Sequence, residues 1–397
     1  MIKKNGSVRW LGAMLVAFSF VAAACGSSNE SSSETTAAST ETGSASNLPA
    51  TITLGSVDSL SGPAAFCGIN EVEGMKLAIK VATEEGILGS TTIDLQVADD
   101  ASTSEGSVAA YRQLIDANVS AIIGPCYSPA AIAIMPLADL KGVPVMLTTA
   151  GGNTFVAPQY MYRGSVPQFG FKVTVVEALV KQGVKTISVV FQNDNDSIVQ
   201  LWNGTLKPAF LFAGIKVLDE DGVAGTTQDF SAQISKFKAN PPDAVGVLVV
   251  GGTNVTLVTQ IREAGITSSL FGQLAMAAPF FLANTGAAAN GTVFAVNFHP
   301  GFQFPSSMAF TAAYLAEYGK EPDFAAANGY DATMRVILAI KAADSAIPAD
   351  IKAALDLQTS MDGAQGPLTF LPDGDTQGLG GVVEVKGDKT ETILIGS

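Results

Sequence analysis

Residues 119–154 read VSAIIGPCYSPAAIAIMPLADLKGVPVMLTTAGGNT. An apolar run (119–123) meets a turn, Gly124-Pro125-Cys126-Tyr127, and then Ser128-Pro129 opens an alanine- and isoleucine-rich stretch to Asp139. A second apolar run (143–147) follows and ends in Thr148-Thr149-Ala150-Gly151-Gly152. Each apolar run is too short for a helix and reads as a buried strand, while the stretch between them is long enough for one. Serine before proline is a helix-start signal, so Ser128 is expected as the N-cap and Pro129 at the first helical position. Strand, helix and strand within about 30 residues form a βαβ crossover of a parallel sheet.

The same rhythm extends in both directions. Upstream, strands are expected at 51–57 and 92–98, with helices at 68–83 and from 102 to 117, the latter opened by a Ser102/Glu105 capping box. Downstream of Pro167 a second series repeats the pattern. It has helices at 168–181, 198–212, 230–238 and 255–264, and strands at 186–191, 215–218, 244–250 and 270–274. A strand at 292–298, helices at 306–318 and 328–343 and a turn-rich, β-like tail from 367 complete the chain. The expected fold is α/β, with two doubly wound parallel-sheet lobes joined by a hinge. The expected boundaries are 50–167 plus 297–360 for the first lobe and 168–296 plus 361–397 for the second.

The first 49 residues stand apart. Lys3, Lys4 and Arg9 precede the apolar run 10–24 (WLGAMLVAFSFVAAA), which ends at Cys25. This is the layout of an export signal, and small residues running into a cysteine resemble a bacterial lipobox. The run of 15 residues is short of the roughly 20 that a membrane span requires. Residues 1–24 are therefore read as a lipoprotein signal peptide and Cys25 as the acylated first mature residue. Residues 25–49, rich in Ser and Thr, cannot bury enough to order themselves and read as a tether. The expected location is extracytoplasmic, on the cell membrane through the lipid alone.

Net charge is −14, and removal of a signal with three basic and no acidic residues would take it to −17. That balance argues against nucleic acid as a partner and against adhesion to anionic lipid. Of three cysteines, Cys67 and Cys126 remain once Cys25 is lipidated. They lie just past the first and third strands, neighbours in a 2-1-3 order, and are predicted to form a disulfide; two separate buried thiols are the alternative. His299 is the only histidine, and there is no G-x-S-x-G elbow, P-loop, H-E-x-x-H or Cys/His metal cluster, so neither catalysis nor a metal or cofactor is expected. Asp219-Glu220-Asp221-Gly222 and Asp373-Gly374-Asp375 lack calcium-loop spacing and read as turns.

In a doubly wound sheet the residues just beyond the strand ends carry the ligand. After the third strand, Ser128 and the free N–H groups of its helix form a small anion site suited to a carboxylate. After the fourth, the glycines let backbone approach a ligand closely. These turns, together with Ser61-Gly62-Pro63, Val143-Pro144-Val145, Asp229-Phe230-Ser231, Gly251-Gly252 and Gly329-Tyr330-Asp331-Ala332, resemble in order and spacing the type-1 periplasmic solute-binding proteins. Within them the similarity is to the branched-chain amino acid (Leu/Ile/Val) receptors of ABC transporters, from about residue 50 to the C-terminus.

The resemblance implies a lipid-anchored receptor of an ABC importer. It would capture an amino acid or other small carboxylate-bearing solute between its lobes and present it to a permease, as a monomer. A ligand-sensing lipoprotein of the same fold is the alternative, and a secreted hydrolase a distant third. Ser128 then maps onto the residue that holds the ligand carboxylate and Ala150 onto a backbone acceptor. Gly152 stands where the family has a hydroxyl, leaving Asn153 as the nearest polar substitute. The carboxylate that holds the ligand amine in the family, after the strand ending Gly272-Gln273-Leu274, is absent; Asp194 or Asp196 is the candidate replacement, with Asp196 also explicable as a helix cap. Phe66, Tyr127, Thr253 and Tyr330 complete the expected pocket.

Overall fold

The computed structural model describes residues 46–152, 159–171 and 173–395. Cys25 and the signal and tether readings up to residue 45 lie outside them, as does Asn153. The first half of the described chain contains β1 (Thr51–Asp58), α1 (Ala65–Glu84), β2 (Thr92–Asp99), α2 (Ser104–Asp116), β3 (Ile122–Ile123), α3 (Ser128–Lys141), β4 (Val145–Leu147) and β5 (Met161–Arg163). The strands pair in parallel in the order β2-β1-β3-β4-β5. β3 and β4 are buried along their whole length, as expected of sheet covered on both faces.

The second half repeats this plan. It runs through α4 (Gln168–Phe171), α5 (Val173–Lys181), β6 (Thr186–Gln192), α6 (Asp196–Leu201), α7 (Lys207–Phe212), β7 (Lys216–Val223) and α8 (Ser231–Ala239). β8 (Ala244–Leu248), α9 (Gly252–Glu263), β9 (Ser269–Gly272), α10 (Pro279–Thr285) and β10 (Val293–Val296) follow. The order β7-β6-β8-β9-β10 mirrors the first sheet and is extended by two antiparallel strands from the C-terminus, β14 (Gly381–Lys386) and β15 (Lys389–Ile395). Between them in sequence come α11 (Pro305–Tyr318), α12 (Phe324–Ala343), α13 (Pro348–Leu357) and a small sheet of β11 (Ser360–Gly363), β12 (Gly366–Phe370) and β13 (Thr376–Gly378).

The late helix α12 returns to the first sheet. Asp323 caps it by accepting from Ala326 N at 2.9 Å, and its apolar face joins Ile52, Leu54, Met75 and Ala78 in one core. Two glycines let α12 press against α1. A Cβ on Gly74 would lie 2.0 Å from Ala326 O, and one on Gly329 would lie 2.1 Å from Glu71 O. Beside these, β14 and β15 (381–395) belong to the second sheet, whereas β11–β13 lie by the first: Arg163 N donates to Gly374 O at 2.9 Å, and Thr376 Oγ1 of β13 donates to Arg163 O at 2.5 Å.

Local chemistry departs from expectation in several places. The cap of α2 is Thr103, which accepts from Gly106 N at 2.9 Å; Ser102 instead sits at φ 57° and donates to Ser61 O at 2.7 Å, joining two strand-end loops. Asp219-Glu220-Asp221-Gly222 is no turn but the second half of β7, an edge strand on which Glu220 pairs with Lys207 at 2.8 Å and Asp221 with Lys236 at 2.6 Å. The helix expected at 198–212 is broken by a π-helical turn, Trp202–Leu206, which seats Trp202 fully inside.

Candidate functional site

Both sheets place their topological switch point, β1/β3 in one and β6/β8 in the other, at the same cleft. Its cavity holds about 470 Å³. The first-sheet wall is made by Pro63, Phe66, the Cys67–Cys126 pair, Tyr127, Ser128 and Thr149. The facing wall comes from the ends of β6 to β9, with Gln192, Asp194, Asn195, Ser197, Thr226, Gln228, Gly251, Thr253 and Gln273. Asp194 is the single charged side chain among these lining residues. The two walls approach closely. A Cβ on Gly151 would lie 2.6 Å from Ser197 Oγ, and one on Gly251 would lie 3.2 Å from Pro63 O.

Ser128 is buried and is the first residue of α3; it is not its cap, because Tyr127 holds that position without a side-chain bond. The hydroxyl instead bridges to the β4 loop, donating to Gly151 O at 3.1 Å and standing 3.2 Å from Gly151 N. Pro129 carries no N–H, and the first-turn amides of α3 have no intrahelical acceptor, so this end of the cleft presents donors and no basic side chain. An anion fits it.

The structure brings Phe66, Tyr127, Ser128 and Thr253 together with Cys67 and Cys126 around the cavity. The two sulfurs are 2.07 Å apart and their Cα atoms 6.4 Å. Burial raises the Tyr127 phenol above its usual range, with Asp194 adding to the shift. Thr253 Oγ1 donates to Gly225 O at 2.5 Å.

Other expected residues stand back. Ala150 and Gly152 are buried behind the cleft surface, and Gly152 O accepts from Arg163, which pairs with Asp375 at 2.8 Å. Gly152 has φ 111°, a conformation that favours glycine and accounts for the missing hydroxyl. Asp196 opens α6 and accepts from Gln200 Nε2 at 3.2 Å, outside the cleft lining; Asn195 is the cap, accepting from Ser197 N at 3.1 Å. Tyr330 packs on Phe310, ring centres 4.9 Å apart, and also does not line the cavity.

Thr149, Gln192, Gln228 and Gln273 were not singled out by sequence. Gln192 ends β6, and Gln273 directly follows β9, so the strand-end rule contained the signal; nothing about the residue types marked them. Thr149 lies on the cleft floor and donates to Glu71 Oε1, while Thr148 donates to the other Glu71 oxygen. Burial pushes Glu71 up to about 7 and raises Asp58 beside it well above the carboxylate range. Asp58, Glu71 and Cys126 cluster closely, but the Cys126 sulfur belongs to the disulfide and offers no thiolate to a metal. His299, which is not among the residues lining the cavity, meets Thr390 Oγ1 at 3.0 Å and Gly301 N at 3.0 Å, and burial lowers its pKa. Among the described residues no helix is long and apolar enough to cross a membrane.

Comparison with known proteins gives a consistent outcome. The chain is 25% identical over 339 residues to the Leu/Ile/Val-binding protein homolog 3 of Brucella melitensis, covering 84% of this chain and 90% of that one. Its fold matches the leucine-binding protein LivK of Thermotoga maritima with a TM-score of 0.80 and 25% identity, over 87% of this chain and 99% of that one. It also matches an ABC-transporter solute-binding protein of Rhodopseudomonas palustris in complex with 3,4-dihydroxybenzoic acid (TM-score 0.79, 24% identity, 87% and 97% covered). With residues 51–390 matching the model of the "Periplasmic binding protein" family, and with two like-ordered sheets sharing one cleft, the chain belongs to that family.

Proposed function

We propose that this chain is the solute receptor of an ABC importer, held outside the cytoplasm by a lipid on Cys25. It takes a small carboxylate-bearing solute between its lobes and passes it to a permease. The observation that carries this reading is the cleft itself: strand ends of two sheets converge on one cavity, whose first-sheet wall offers the Ser128 hydroxyl and a helix N-terminus. Lobe closure then follows from contacts that the solute makes only when both walls reach it. The relatives named above include a leucine-binding protein and a complex with an aromatic acid, so the fold alone does not choose the solute.

The test is binding by the full chain to amino acids, aliphatic acids and aromatic acids, followed by melting. A ligand at 100 times its Kd raises stability by about 2.7 kcal/mol. Ser128→Ala should weaken that ligand by roughly 5- to 150-fold, the effect of leaving a buried oxygen under-paired. Loss of stability with unaltered affinity would reduce Ser128 to a structural tie for Gly151. Membrane fractionation of Cys25→Ser tests the anchor: the protein should move to the soluble fraction, and continued membrane association would reject it.

A further inference from the structure

Beneath the cleft floor lies a pair of carboxyls short of donors. Asp58 ends β1 and Glu71 lies in α1, and both are fully buried. Asp58 Oδ2 accepts from Ser56 Oγ at 3.1 Å, whereas Asp58 Oδ1 has no hydrogen-bond partner. Glu71 accepts from the hydroxyls of Thr148 and Thr149. These donors are all neutral, so they do not offset the charge that the pair carries when ionised. The neighbouring Asp100 is complete by contrast: it accepts from Ser59 Oγ and Ser102 N at 2.7 Å and from Ser107 Oγ at 3.2 Å. Two carboxyls buried side by side either share a proton or hold a cation.

Sulfur completes the group. Asp58 and Glu71 each bring an oxygen to within 4.8 Å of the other and of Cys126 Sγ. Cys67, bonded to Cys126, stands on α1 four residues before Glu71 and so on the same helix face. Two sulfurs and two carboxyl oxygens from β1, α1 and the loop after β3 thus converge. They form a donor set for tetrahedral zinc, whose ligand atoms lie about 3.3–3.8 Å apart. The hydroxyls of Ser56, Thr148 and Thr149 hold the carboxyls in place, as groups behind metal ligands do. The disulfide withholds both thiolates, and its reduction would supply them and let the sulfurs part. Cys67 and Cys126 are among the residues lining the cavity, so the cleft is the route by which a reductant and a metal ion arrive.

We propose that Asp58, Glu71, Cys67 and Cys126 form a redox-gated site for a divalent ion of the zinc class, closed as the disulfide and opened by a dithiol or phosphine. Reduction adds two electrons and two protons to the S–S bond and leaves two thiols. A dithiol gives up both pairs and becomes a disulfide; a phosphine leaves as its oxide, with oxygen and protons drawn from water. The metal ion then displaces the thiol protons and the proton shared by the carboxyls, which pass to the buffer.

The test is competition of the full chain with a chromophoric zinc chelator, with and without a phosphine. The chain carries Cys25→Ser so that no third thiol takes part. The reduced protein should take up Zn2+ at least about 100-fold more tightly than the oxidised protein. Co2+ in its place should show thiolate-to-metal charge transfer and the visible bands of a tetrahedral site. Asp58→Asn and Glu71→Gln should each weaken Zn2+ binding by the reduced protein at least about 10-fold, with melting curves checking that both variants fold. If a variant fails to fold, the redox ratio and the cobalt spectrum of the protein with both carboxyls decide. A reduced protein that binds Zn2+ no better than the oxidised one would overturn the site. So would a cobalt spectrum without thiolate charge transfer, or a Zn2+ affinity that neither carboxyl substitution changes.

Discussion

The side-chain amide of Asn328 donates to Thr149 Oγ1 at 2.8 Å, and this bond ties the chain crossings between the two sheets to the floor of the cleft. Asn328 Oδ1 in turn accepts from Asn297 Nδ2 at 2.9 Å, and Asn297 also reaches Gln365 Oε1 at 2.9 Å. Gln365 Oε1 accepts from Val166 N at 3.0 Å, and Asp331 gathers Gln365 N, its Nε2 and Ala364 N. Val166, Asn297 and Gln365 lie on three separate crossings, so one buried network joins them all. Asn297 Oδ1 is the one atom of these side chains left without a partner, and removal of another member leaves further buried groups unpaired.

Asn328→Ala should therefore cost more than one ordinary hydrogen bond, about 2–4 kcal/mol, because Asn297 and Thr149 lose a partner together. Urea unfolding measures this, and a loss below about 0.5 kcal/mol would show that water replaces the amide. Asn328→Asp, which keeps the acceptor and loses the donor, should fall between Ala and wild type only at low pH, where the carboxyl is protonated and can donate.

The contact between α1 and α12 depends on two glycines. At Gly74 and Gly329 an added methyl meets backbone carbonyls, Ala326 O and Glu71 O, which no side-chain rotation can move. Gly74→Ala and Gly329→Ala should each destabilise by about 3 kcal/mol, by forcing the helices apart. Gly204→Ala, with nothing within 4 Å, should be neutral or stabilising by about 0.5 kcal/mol, and comparison of the three midpoints in denaturant checks the claim.

Stability should decline as pH rises through neutrality. Burial pushes Glu71 and Asp331 each up to about 7 and Asp323 to about 6. The native state thus keeps protons that the unfolded chain has released by about pH 5. Between the unfolded and folded pKa values the native state binds more protons, so unfolding free energy falls as pH increases. Denaturant midpoints should be higher near pH 5 than near pH 8. Glu71→Gln should flatten the slope, its amide oxygen accepting from one of Thr148 and Thr149 and its NH2 donating to the other, and an unchanged slope would exclude Glu71 as a contributor.

The Cys67–Cys126 link closes a loop of 59 residues along the cleft wall. Constraint of the unfolded chain by a loop of that length is worth about 4 kcal/mol in the chain-entropy treatment. Peptide mapping without reductant should recover the linked pair, and Cys67→Ser with Cys126→Ser should lower the unfolding midpoint substantially. Recovery of two free thiols from the extracytoplasmic protein would reject the linkage.

Much of the architecture is legible in local sequence, because it is set by local physics. Short apolar runs such as 143–147, buried on both faces, can only be strands, and their alternation with helix-length stretches implies parallel sheets; the 2-1-3 neighbourhood of β1 and β3 then brings Cys67 to Cys126. The strand-end rule also pointed to Phe66, Tyr127 and Ser128, which line the cavity, since topology fixes which loops face the cleft. Capping was less readable. Ser102, Thr103 and Ser104 are adjacent and chemically alike, and the choice of Thr103 depends on Ser102 being drawn to Ser61 of another loop.

What the sequence determined by itself was periodicity, strand ends and the absence of a cation from the loops after β3 and β4. Only the tertiary structure decided which polar residues have their bonding completed inside the protein. Asp196 and Asp194 are two residues apart, yet one turns to its own helix and the other faces the cleft. Gln192 and Gln273 carry the same amide at like positions, yet Gln273 is paired at both ends and Gln192 leaves a buried oxygen without a partner. The physical reason is that satisfaction of a buried polar atom depends on partners distant in sequence as well as near, as Val249 is for Gln273, which a local pattern does not encode.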